Sequence, residues 1–66
     1  MARDYIIQGF YPDGTGFRTE VVANTMDDAM ILAQGALKVT TLKCTYLIDG
    51  RSGDKLAFFS NNLIMM

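Results

Sequence analysis

The segment YIIQGFYPDGTGFRTEVVA, residues 5–23, constrains this chain more than any other. Residues 5–11 and 17–23 are rich in β-branched and aromatic types, and PDGTG lies between them. Pro12 suits the second position of a β-turn, and Gly14 or Gly16 supplies a residue able to take positive φ. The two runs therefore fold back as a hairpin. Pairing Tyr11 with Phe17, then Gly9 with Thr19, Ile7 with Val21 and Tyr5 with Ala23, gathers Tyr5, Ile7, Tyr11, Phe17, Val21 and Ala23 on one face. The opposite face receives Ile6, Gln8, Phe10, Arg18, Glu20 and Val22. The first face is the better core.

Residues 24–38, NTMDDAMILAQGALK, supply a helix to cover it. Thr25 is a good N-cap, and Asp28 three residues on completes a capping-box-like start. Asp27 and Asp28 lie in the first turn and Lys38 near the last, as the helix dipole favours. At 100° per residue Met26, Ala29, Met30, Ala33, Ala36 and Leu37 form one apolar stripe, with Leu32 at its edge. Ile31 falls outside the stripe and points to solvent with Asp27, Gln34 and Lys38. Gly35 costs up to ~1 kcal/mol relative to alanine, so the helix depends on packing.

A second hairpin follows. In TLKCTYLI, residues 41–48, Leu42, Cys44, Tyr46 and Ile48 alternate with Thr41, Lys43, Thr45 and Leu47. DGRSGD is a turn cluster and KLAFFS the returning strand. This reading puts Leu56 and Phe58 on the core face with Cys44 and Tyr46, and leaves Lys55, Ala57 and Phe59 outside. The predicted architecture is α+β: a small antiparallel sheet of about four strands, ordered hairpin, helix, hairpin, with one helix packed on one face. Residues 1–66 form a single domain, with an apolar C-terminal tail at 61–66.

A chain of 66 residues buries only ~60% of its unfolded surface, so its stability margin is thin. Chains of this size usually rely on a staple, a metal or a partner. Cys44 is the sole cysteine, so no intrachain disulfide can form, and with histidine absent a metal site is not expected. Self-association is the remaining route. Six basic and seven acidic residues give a net charge of −1, too balanced for a charge-driven nucleic-acid binder or an acidic DNA mimic. No run is long enough to span a membrane, and MARDYIIQGF holds no apolar stretch of signal length, so the expected location is the cytoplasm.

Catalytic and cofactor constellations are missing. Asp27 and Asp28 are adjacent and diverge on a helix, which fits capping better than proton transfer. The GTG at 14–16 joins two strands rather than opening a helix, so it forms no phosphate cradle. Asp49 and Asp54 lack the further acidic ligands of a calcium loop. Cys44 has no histidine to activate it and reads as a buried structural thiol. No enzyme, cofactor or metal is expected.

The uncovered sheet face is more informative. It is expected to present Ile6, Phe10, Val22, Leu47, Ala57 and Phe59 among Gln8, Arg18, Glu20, Lys43 and Lys55. Such a surface can dock a protein. It can also stack single-stranded nucleic acid, with Phe10 and Phe59 meeting bases and Arg18, Lys43 and Lys55 meeting phosphates. Or the tail or a second subunit covers it. The candidate partner-binding residues are Phe10, Arg18, Ile31, Lys43, Lys55 and Phe59. Leu63, Ile64, Met65 and Met66 are the candidate self-association residues, adding a strand, packing over the open face or pairing in a homodimer.

DYII in the first strand, EVVANTMDDAMILAQ from strand to helix and TLKCTYLIDGRSGDKLAFF as the closing hairpin resemble small phage-encoded CRISPR inhibitors. The similarity is to type I-F anti-CRISPR proteins built as hairpin, helix and hairpin, and spans most of the chain. The resemblance implies a non-catalytic inhibitor that docks on a host protein complex, the surveillance complex, often over a surface meant for DNA. The competing expectations are a single-stranded nucleic-acid-binding module and a homo-oligomeric structural protein.

Overall fold

The computed structural model describes residues 2–60. Strands β1 (Arg3–Phe10) and β2 (Gly16–Ala23) form the first hairpin, helix α1 (Met26–Val39) follows, and β3 (Cys44–Asp49) and β4 (Lys55–Ser60) form the second. All pairings are antiparallel, and the strand order is β2-β1-β3-β4. The chain therefore leaves the margin of the sheet at β2, passes through α1 and re-enters at its centre beside β1. The expected α+β hairpin–helix–hairpin is what forms. The expected self-association residues Leu63, Ile64, Met65 and Met66 lie outside the described residues.

The first turn follows its residue types. The Gly14 amide donates to the Tyr11 carbonyl across Pro12 and Asp13, and Gly14 takes φ +94°. Asp13 accepts from the amide and hydroxyl of Thr15. The hairpin register is two residues away from the expected one: Gly9 faces Phe17, Ile7 faces Thr19 and Tyr5 faces Val21. A shift of two preserves the faces, so Tyr5, Ile7, Phe17, Val21 and Ala23 still join the core.

Helix α1 starts as predicted, with the Asp28 amide donating to the Thr25 hydroxyl at 3.1 Å. Ala29, Ala33 and Leu37 are buried, while Ile31 is 64% exposed. The C-terminus closes in a Schellman-type motif. The Thr40 amide donates to Ala36, the Leu42 amide donates to Leu37, and Thr41 between them has φ +55°. Leu42 is buried there, as the apolar residue after such a cap usually is.

That cap overturns the expected alternation of the second hairpin. Leu42 is buried by the helix end and not by a strand, and the strand starts two residues later. Cys44 then pairs with Phe10, Tyr46 with Gln8 and Ile48 with Ile6, so all three lie on the open face. Thr45 and Leu47, opposite Gly9 and Ile7, point beneath the helix and are fully buried. In β4, Phe59 pairs with Thr45 and Ala57 with Leu47, so Phe59 packs against the core and Phe58 takes the open position. The predicted open-face role of Phe59 is thus corrected, as are those of Leu47 and Ala57.

The size of the side chains explains this choice of face. Ala29 and Ala33 bring the helix close to the sheet, and the Thr45 hydroxyl donates to the Ala33 carbonyl at 3.4 Å. A Cβ on Gly9 would sit 2.3 Å from the Cys44 carbonyl oxygen and 3.2 Å from Thr45 Cγ2. This narrow space takes Gly9, Thr45 and Ala57 but not the paired rings of Tyr46 and Phe58. A shift between Leu47 and Ile48 lets Leu56 reach the core cluster as well.

Candidate functional site: the open face of the sheet

Beyond the Asp4–Val22 pair, three rows that cross all four strands build the face away from the helix. Glu20, Ile6, Ile48 and Lys55 form one; Arg18, Gln8, Tyr46 and Phe58 the next; Gly16, Phe10, Cys44 and Ser60 the third. Phe10, Tyr46 and Phe58 thus come from three adjacent strands. The Tyr46 and Phe58 ring centroids are 5.0 Å apart and tilted by 49°. Lys55 Nζ lies 5.0 Å from the Tyr46 ring centroid, a cation–π contact. Phe58 is 54% and Phe10 39% exposed, whereas Ile48, between Ile6 and Lys55, is buried.

Of the predicted partner-binding residues, Phe10, Arg18 and Lys55 come together on this face. Lys43 is exposed one residue ahead of β3, its amide donating to the Phe10 carbonyl. Ile31 is exposed on the helix, in a groove near the end of β2, so it does not extend the same surface. Tyr46, Phe58 and Ile48 are the residues that the sequence reading assigned to the core. The signal for them was the alanine spacing of the helix, which demands small residues beneath it.

Charges on the face are mixed. An open recess of about 420 Å³ at the β1–β2 side is lined by Asp4, Ile6, Arg18, Glu20 and Val22, among others. The carboxylates with perturbed acidity are elsewhere, in the two turns. Asp49 is held below its usual value by the amides of Arg51 and Ser52 and then by the charges of Arg3 and Arg51. Asp13 is lowered by its bonds from Thr15. Both are engaged in structure, and hydrogen bonding of the ionised form explains the direction.

No group of three or more His, Cys, Asp or Glu among the described residues is placed to hold a metal. No helix among them is long and apolar enough to cross a membrane. Cys44 is half-buried beside Phe10 on the open face and not in the core beneath the helix. Comparisons with protein families, with curated proteins and with solved structures give no match to this chain.

Proposed function

We propose that this protein is a non-catalytic docking protein whose open sheet face binds a protein partner, in the manner of an anti-CRISPR inhibitor. The observation that supports this is the state of the aromatic rings. Base stacking needs exposed ring faces. Here one face of Tyr46 is occupied by Lys55 and its ring is tilted by 49° against Phe58, so lysine and rings form one apolar, partly cationic surface. Glu20 and Asp4 stand near Arg18 on the same side, which suits a partner of mixed charge better than a phosphate backbone. Phe10 and Phe58 are the anchors, since exposed aromatic residues within such a patch carry most of the binding energy at protein interfaces. The partner class, a type I-F surveillance complex, rests on the sequence resemblance.

The test is co-elution of the purified chain with a purified type I-F surveillance complex. Wild type should co-elute, and Phe58→Glu and Phe10→Glu should each abolish it while keeping the wild-type circular dichroism. A folded wild type that runs free of the complex overturns the inhibitor reading. Full binding by both variants overturns the open face as its site. A thymidine oligomer serves as the counter-probe: tight binding that weakens steeply with salt would move the function to single-stranded nucleic acid.

A further inference from the structure

We infer that the free edge of β2 is a homodimer interface, at which Gly16–Ala23 pairs antiparallel with the same strand of a second copy about a two-fold axis through Thr19. Among the described residues β2 pairs only with β1, and it lies at the margin of the sheet. Its eight residues pair without a shift and contain no proline. The opposite margin differs. β4 is six residues long, begins at Lys55 and is offset by the irregularity at Leu47/Ile48, all of which guard an edge against pairing. β2 has neither the short length nor the offset, and its two charges, Arg18 and Glu20, are of opposite sign, so they guard against a mismatched register but not against a complementary one.

Backbone alternation shows which groups face outward. The Tyr11 amide donates to the Thr15 carbonyl at 2.8 Å, which makes that opposed pair a hydrogen-bonded one. In an antiparallel ladder such pairs alternate, so Phe17, Thr19, Val21 and Ala23 direct their N–H and C=O toward β1. Gly16, Arg18, Glu20 and Val22 direct theirs outward. The far side of β1 agrees, since the Gly50 amide donates to the Asp4 carbonyl, so the even-numbered β1 residues serve β3.

The side chains select the register. Centred on Thr19, the pairing sets Arg18 opposite the partner's Glu20 and Glu20 opposite the partner's Arg18, both in hydrogen-bonded positions on the open-face side. Phe17 meets the partner's Val21 on the helix side, where each monomer leaves both only half-buried. Centring on Arg18 or Glu20 instead sets like charges face to face. The Thr19 register also brings the start of the partner's strand beside Val22 and Ala23. There an open groove of about 370 Å³ runs from Val22, Ala23 and Asn24 to Asp28, Ile31 and Leu32. Ile31 and Leu32, 64% and 43% exposed, would be sheltered by that approach. An axis normal to the sheet puts both helices on one side and joins the two open faces on the other.

Light scattering on a sizing column tests this for the full chain. Wild type should have twice the 7.3 kDa chain mass at millimolar concentration. Arg18→Glu should halve that mass, and Arg18→Glu combined with Glu20→Arg should restore it. Glu20→Pro is the second disrupting variant. It removes an outward amide that β1 does not use, so the fold should remain and the mass should halve. A wild type that is monomeric at every concentration overturns the inference, and so does a dimer that persists in both Arg18→Glu and Glu20→Pro.

Discussion

The two hairpins are made of similar residues but fold back with different regularity. β1 and β2 pair over eight consecutive positions, and their turn is set by Pro12, Asp13 and Gly14. β3 and β4 pair over five, slip between Leu47 and Ile48, and close through a longer turn in which Gly53 takes φ +80° and Asp49 accepts from Arg51 and Ser52. In the first hairpin the alternation of the strands themselves agrees with the side that is buried. The second is entered from a helix cap, and the cap and the space beneath the helix decide for it. The same alternation therefore carries different weight in the two places.

The sharpest probe of that difference is the neighbouring pair Phe58 and Phe59. Phe59 packs against the core cluster, so Phe59→Ala should cost about 1.5–3 kcal/mol. Phe58 is 54% exposed, and Phe58→Ala should cost less than about 1 kcal/mol, chiefly the lost contact with Tyr46. Urea unfolding midpoints of the two variants compare them directly. The reverse order would mean that the second hairpin keeps the face its bare alternation predicts.

Much of the fold is legible in the residues. The first turn, the Thr25 cap, the outward Ile31 and the sorting of β1 and β2 into faces all follow from local chemistry and period. The site is less legible for a specific reason. In residues 42–48 both faces of the alternation are apolar enough to be core, with Leu42, Cys44, Tyr46 and Ile48 against Thr45 and Leu47. Only the tertiary fit breaks the tie: Gly9 admits the Cys44 carbonyl, Thr45 reaches Ala33, and the larger rings are left to the other side. That is why the sequence pattern reveals Phe10, Arg18 and Lys55 and hides Tyr46 and Phe58.

Thr41 is where the two regimes meet. A β-branched residue at φ +55° is strained, by about 1–2 kcal/mol, and glycine normally fills this position of a Schellman motif. Thr41→Gly should relieve the strain, less the larger entropy that glycine loses on folding, for a net gain of about 0.5–1 kcal/mol. A higher thermal midpoint would show it. A loss would mean that the Thr41 hydroxyl bond to the Thr40 carbonyl matters more than the backbone geometry.

The smallest effect separates the two turns by their response to acid. Both Asp13 and Asp49 have pKa values lowered from the ordinary 3.8, so the folded state favours their ionised forms. The stabilisation is complete above the unfolded value and is lost as pH falls below 3.8 through the folded value, because the unfolded chain takes up protons first. Asp49 also has Arg3 of β1 at 3.5 Å, so its charge links the second turn to the first strand. The bonds holding Asp13 stay within its own turn. Asp49→Asn keeps an oxygen to accept the Arg51 and Ser52 amides but removes the titration and the attraction to Arg3. Its urea midpoint should therefore fall slightly at neutral pH and decline less than that of wild type on acidification. Asp13→Asn should change the acid response less, since no charged partner is lost. Equal flattening by the two variants would show that each turn's own hydrogen bonds set the acid sensitivity, with nothing added by the reach of Arg3 across to the second hairpin.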